Sequence, residues 1–516
     1  MFKNNNVALV ICLLSLGSGV MSSAATHPAC YPVTDFGARG DGVTVNTQSI
    51  QATIEACSGE GGGRVLVAGG SFVTGTLFLK DYVDLHIAPG ATLLGSTDIA
   101  DYAENTHKNM YKNEPHMDRC LIFARGVKTI SITGSGTIDG QGQRKNFPNK
   151  GSRYRPMMIR LLDCTNIRMR DVTLKNPAAW TSAWLYCSDI VVDGITIHSR
   201  ANGNGDGLDF DGCRDVRVSN CAFDTSDDSI CLQTSRVDRP CRDVVITNCS
   251  FCSKWAGIRI GLLSRGNIEN ITMNNCVFKD IQDSGLKIQM CEGGVMQNMT
   301  FSNLIMSNVP RPLFMTFCQQ RACCEAPDAM APMQALRQMS FSHILVDNRM
   351  CDQNSAIVIT GLPGHPIEDL CLSHIQFYTG GGGTATEAAR RSLPEYTLET
   401  LKGWWPEYSL LGGAVPCHGV YARHVKGLTL NDIQIKTIKP DARPAIVCDD
   451  VSGLTLAGLG LQGQVEAEAM IRLQEVRDGL IHSCHVSGSC QAFMNEENSS
   501  HIEIAANNYF QPKDPQ

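Results

Sequence analysis

Residues 225–233 read TSDDSICLQ, so two carboxylates, Asp227 and Asp228, run straight into an apolar, strand-like stretch. Adjacent acids are ordinarily solvated, or cap a turn. At the mouth of a core strand they repel, and at least one is held above its usual pKa. A protonated carboxyl beside an ionised one is an acid and a base built from one side-chain type. Glycoside hydrolysis uses that pairing: one carboxylic acid protonates the leaving oxygen while a carboxylate activates water. A third acid, Asp206, lies upstream in NGDGLD (204–209). Whether it joins the pair depends on the elements that carry all three.

Those elements repeat. An apolar-x-apolar-x-x-apolar-x-apolar pattern recurs as IRMRDVTL (167–174), IVVDGITI (190–197), VRVSNCAF (216–223), VVITNCSF (244–251), ITMNNCVF (271–278) and MTFSNLIM (299–306). It continues to LTLAGLGL (454–461), and the early starts are 23, 26, 28, 27 and 28 residues apart. Each unit holds two short alternating strands, and a third follows in most units, as in GLDF, SICL, GIRI and GLKI. Three strands in so few residues make one coil of a solenoid, because no unit buries its inner face alone. A doubly wound α/β fold would need a helix between parallel strands, and these spacings leave no room for one. The expected fold is all-β: a single right-handed parallel β-helix of about ten coils, with an amphipathic helix at 46–57 (Ile50, Ile54 and Cys57 on one face) capping its N-terminal end. Asn220, Asn248, Asn275 and Asn303 share one position in four coils and should form a hydrogen-bonded ladder, with Cys221, Cys249 and Cys276 as the next, inward column.

Alignment of the third strands on Leu208, Ile230, Ile258 and Leu286 puts Asp206 and Asp228 in one column, followed by Ala256 and Ser284. Coils stack roughly 4.8 Å apart, so Asp206, Asp227 and Asp228 should converge. One position past the reference fall Asp209, Cys231, Arg259 and Lys287, which sets two cations beside the acids, pointing away from the core. Either they balance the aspartates, or they grip a substrate carboxylate; Arg offers a fork of donors and Lys a compact charge. The second reading makes the sugar next to the cleaved bond anionic. Asp209 and Asp211 read as structural hydrogen-bonding groups.

The 516 residues are 43% hydrophobic and 18% charged, with a formal net charge of −7. That balance argues against bulk attraction to nucleic acid or an anionic surface. The start, MFKNNNVALVICLLSLGSGVMSSAA, has the features of a secretory signal peptide over residues 1–25, leaving residues 26–516 as one exported domain without a membrane span. A monomer is expected. Of the 23 cysteines most fall at repeat positions and read as small buried hydrophobes; Cys484 and Cys490 could pair. The long irregular stretch from Gly380 to about Pro416, with Trp404 and Trp405, reads as a loop near a functional face, where a ring could stack on a sugar.

NGDGLD, DTSDDSICL (224–232) and DFGARGDG (35–42) together resemble glycoside hydrolase family 28, the polygalacturonases and rhamnogalacturonan hydrolases of the pectin-lyase-like β-helix superfamily. The Asn-x-Asp plus Asp-Asp pair is the specific part of the likeness. It implies Asp227 as general acid, Asp206 and Asp228 as holders of the attacking water, single displacement with inversion, and no metal or other cofactor. Inversion sets an expected separation of roughly 6.5–9.5 Å between acid and base. The resemblance further implies Asn204, Lys287 and Gln289 as substrate-binding residues and a pectic or related uronate-containing polysaccharide as partner; Arg259, one coil away, could partly replace the changed half of the carboxylate clamp. It also matches Trp180 to a family aromatic near the cleft, with core packing as the other reading. Three positions depart from the family: Gly205 stands for Thr, Ala256 for a histidine, and Gln289 for the lysine of the carboxylate clamp. The alternatives are a polysaccharide lyase on the same fold, with Arg259 or Lys287 as base, or a carbohydrate-binding protein without activity. The inserted loops after Cys318 and Gly380 could close one end of the cleft, which would favour exo action.

Overall fold

The computed structural model describes residues 29–107, 115–148, 154–291, 293–317, 333–401 and 406–510. The expected signal segment, the loop after Cys318 and Trp404-Trp405 lie outside them. The chain winds as a parallel β-helix, each coil pairing in parallel with the next. Fourteen buried residues from Val65 to Ile481 stand in one inward column, so the stack is longer than the ten units of the recognisable repeat. The earliest coils keep the alternation but lack the polar corner that made the later ones legible.

Helix α1 (Thr47–Gly59) buries Ile50, Ile54 and Cys57 and packs on the strand Gly63–Val67, closing the N-terminal end of the core. Inside, like stacks on like. Phe223, Phe251 and Phe278 are ring-stacked at centroid spacings of 5.0 and 4.8 Å, the interval that the strand spacing itself imposes. Cys221, Cys249 and Cys276 are buried beside them. Cys484 is a free thiol, so it forms no disulfide with Cys490; Cys291 is disulfide-bonded.

The Asn column has a different cause from the one expected. Asn220, Asn248, Asn275 and Asn303 all take positive φ, 53° to 57°, as do His343, His374 and Asp432 at the same corner further along. The chain turns there through the left-handed region, which Asn, Asp and Gly tolerate best. The side-chain ladder is secondary: the residues are exposed, and Asn248 to Asn220 and Asn303 to Asn275 bond only at 3.4 Å.

The third strands carry the site. They are β1 (Leu208–Asp211), β2 (Ile230–Thr234), β3 (Ala256–Ser264), β4 (Ser284–Met290) and β5 (Arg311–Phe317). Leu208 pairs with Ile230, Ile230 with Ile258, Ile258 with Leu286 and Leu286 with Leu313, which is the expected register.

Phe251 is buried between two stacked rings, so Phe251→Ala should open a cavity and cost about 3–5 kcal/mol. Urea denaturation would show this as a lower midpoint; a loss below about 1 kcal/mol would mean that neighbouring coils close over the gap.

Candidate functional site

Asp206 and Asp228 each enter a third strand two residues before its reference position, and Gly207 N donates to Asp228 O at 2.9 Å. That single bond sets the two acids one coil apart. Asp227 precedes β2 on a turn whose backbone is pinned: its carbonyl accepts from Thr225 Oγ1 and Ser253 Oγ, both at 2.6 Å. Asp206, Asp227 and Asp228 each place a carboxylate oxygen within 4.8 Å of the other two. Asp206 and Asp228 are buried, at 7% and 1% exposure, and Asp227 is partly exposed. The spacing is one that a divalent cation could bridge. These are distances between nearest oxygens, a different measure from the roughly 6.5–9.5 Å between carboxyl groups expected of an acid and a base. Asp206 and Asp228 are brought this close by the coil spacing.

Gly205 has a steric cause. A Cβ there would lie 2.1 Å from Ser199 O and 2.5 Å from Ser226 Oγ, so no threonine fits. Gly205 N donates to Ser226 Oγ and Ser226 Oγ to Asn202 O, tying the Asp206 turn to the Asp227 turn. Asn204 Oδ1 accepts from the buried Arg155 at 2.8 Å. Ala256, where the resemblance expects a histidine, carries only a methyl group and is fully buried.

Arg259 and Lys287 pair in adjacent strands beside Cys231, as the register requires. They point away from the helix core yet are not open to solvent. A second apolar layer covers this sheet, built from Leu393, Tyr396, Tyr408 and Leu411 of the inserted stretch packed with Phe314 and its neighbours. Arg259 donates to Asp228 Oδ2 at 2.8 Å and lies 3.7 Å from Glu407. Lys287 has no exposed side-chain surface; it pairs with Asp283 at 2.9 Å and closely with Glu407. Gln289 accepts from Arg259 through Oε1 and donates to Pro406 O at 2.5 Å. Three residues expected to bind substrate are thus held by protein partners.

Burial raises the Asp228 carboxyl, with Arg259 and Lys287 opposing and Glu407 adding. Asp209 is a fourth acid of the cluster. It is buried, its Oδ2 has no hydrogen-bond partner among the described residues, and burial followed by the charges of Asp228 and Asp227 pushes it well above the usual carboxylate range. Its place in the Arg259 column was the signal for it. Asp211 does act as a structural group, accepting from Ser235 N and Oγ. Against its burial, Lys287 and Arg311 hold Asp283 down at about 2. Trp180 is buried in the second apolar layer. Among the described residues an exposed aromatic beside the acids is Trp255, whose amide donates to Ser253 Oγ and whose ring lies 4.8 Å from Lys287 Nζ. Its position beside the buried Ala256 could have marked it.

A profile of Glycosyl hydrolases family 28 matches residues 78–390. An exo-poly-alpha-D-galacturonosidase of Dickeya chrysanthemi is 26% identical over 402 residues, covering 66% of each chain. A probable polygalacturonase of Vitis vinifera is 25% identical, over 69% of this chain and 75% of the relative. The crystal structure of a hyperthermoactive exopolygalacturonase from Thermotoga maritima superposes with a TM-score of 0.59 at 21% identity, over 68% of this chain and 88% of that one, and shares the fold.

Folded Asp209 keeps its proton at pH values where the unfolded carboxyl, with a pKa of about 3.9, has lost it. The folded state then binds more protons, so stability is greatest below that value and falls as pH rises through the folded pKa. Asp209→Asn is neutral throughout and should lose less stability than wild type between about pH 5 and about pH 8. Urea midpoints at the two pH values would check this; equal losses would mean that Asp209 is ionised in the folded protein.

Proposed function

Because the chain belongs to glycosyl hydrolases family 28, we propose that Asp206, Asp227 and Asp228 hydrolyse glycosidic bonds of a pectic polysaccharide by single displacement with inversion. The observation that carries this reading is the convergence of three carboxylates from two stacked coils within 4.8 Å. Asp227, the partly exposed member, gives its proton to the glycosidic oxygen as the bond from that oxygen to C1 breaks. Asp206 and Asp228 hold a water that attacks C1 and take up its proton. Two carboxylate oxygens this close can both accept from one water, since each such bond spans roughly 2.7–2.8 Å. The water is then held between the two bases, with the scissile bond on the side of the partly exposed Asp227. Arg259 keeps Asp228 oriented through Oδ2, and Oδ1 has no hydrogen-bond partner among the described residues.

A lyase needs a base free to take a proton from the sugar ring. Lys287 is buried between Glu407 and Asp283, and Arg259 is bound to Asp228, which supports hydrolysis over elimination. Tyr396 and residues 406–411 stand over β3 to β5, with Arg311 stacked 4.8 Å from the Tyr408 ring, and would close the cleft on that side. Exo action follows from a closed end. Among the described residues no helix is long and apolar enough to cross a membrane, which together with the signal-like N-terminus fits an exported enzyme.

Asp227→Asn should lose about 10²–10⁴-fold in turnover while keeping the wild-type melting temperature. Release of reducing ends, without products absorbing near 235 nm, and an inverted anomer in early NMR spectra are expected of wild type; a retained anomer would replace the water by a carboxylate nucleophile. Exo cleavage should release reducing ends well before the viscosity of the polymer falls, whereas an early viscosity drop would show internal cuts.

A further inference from the structure

Three cations beside the acid cluster are occupied by the protein. Arg259 faces Asp228 and Glu407, Lys287 faces Asp283 and Glu407, and Arg311 faces Asp283 at 3.0 Å. Among the described residues, Asp228, Asp283 and Glu407 pair with these three cations, and Asp206 and Asp227 stand beside them. A carboxylate arriving here would find the three cations already paired with carboxylates.

Glu407 is not a casual contact. Its carbonyl accepts from Tyr396 Oη at 2.5 Å, and its neighbour Pro406 accepts from Gln289 at 2.5 Å. The next residue, Tyr408, is buried, stacks on Arg311 and packs edge-on to Phe314. Lys287 cannot be reached from solvent without moving this segment, and burying it unpaired would cost far more than the pair gains. On the solvent side the same place presents the exposed ring of Trp255, a surface suited to the apolar face of a sugar.

We propose that Glu407 is a built-in counter-ion that permanently fills the place of an acidic ligand group on Arg259 and Lys287. The sugar bound next to Asp228 is then uncharged, either a neutral sugar or an esterified uronate. This rests on the reading of the site as a sugar-cleaving cleft and names the class of sugar it takes. It replaces the expectation that the two cations grip a substrate carboxylate.

The test compares three trisaccharides on wild type and Glu407→Gln: a free-acid galacturonide, its methyl ester and its carboxyl-reduced form. Binding is measured by calorimetry, and reducing-end release is followed in parallel. Wild type should bind both uncharged forms roughly tenfold or more tighter than the acid, the scale of opposing like charges at an interface. Preference for the ester alone would identify an esterified uronate, and for the reduced form alone a neutral sugar. Glu407→Gln should shift the preference toward the acid by roughly tenfold or more. The wild-type comparison needs no substitution and stands if the variant misfolds. Tightest wild-type binding of the free acid, or an unchanged preference in a folded Glu407→Gln, overturns the proposal. Selective binding without any release would leave the proposal intact and remove the hydrolase reading instead.

Discussion

Parallel backbone hydrogen bonding between successive coils governs the molecule. It fixes the rise at roughly 4.8 Å and lets no coil slide, because a one-residue slip would turn every inward side chain out. Side chains in one column are therefore neighbours by construction. Inside, this gives stacked phenylalanines and buried cysteines. At the mouths of β1 and β2, it gives carboxylates closer together than isolated acids would choose.

That crowding has an electrostatic consequence. Buried like charges persist only with partners or protons. The site uses both: Arg259 bonds Asp228, while burial and the neighbouring carboxylates push Asp209 toward its protonated form. Cations brought in to balance the acids are buried too and need partners of their own. Asp283 and Glu407 fill that role, so the ion pairs extend outward from the acids to the covering segment.

The covering segment thereby does two things with one set of contacts. Its apolar residues pack on the outer face of the third-strand sheet around Phe314, which keeps that face from solvent. Its Glu407 completes the charge balance of the sheet it covers. Wall and charge balance are inseparable, since the tyrosines that pack the segment flank the glutamate that neutralises the cations.

The solenoid, its capping helix and the register of Asp206, Asp228, Arg259 and Lys287 were all readable in the sequence. Each depends on spacing within or between adjacent coils, where chain distance maps directly onto space. The corner Asn residues were visible as a column, but their cause, a left-handed backbone, belongs to three-dimensional geometry. The length of the stack was underread because its early coils lack that corner. Asp209 stood in the right column, and only its burial without a partner on Oδ2 revealed its character. Glu407 was beyond reach: it lies 120 residues from Lys287 along the chain, in an inserted stretch with no repeat to index it. Sequence alone decided which residues share a column, because parallel stacking is periodic. The tertiary structure decided which of those residues face solvent and which are already paired, because that depends on what an aperiodic segment folds back to cover.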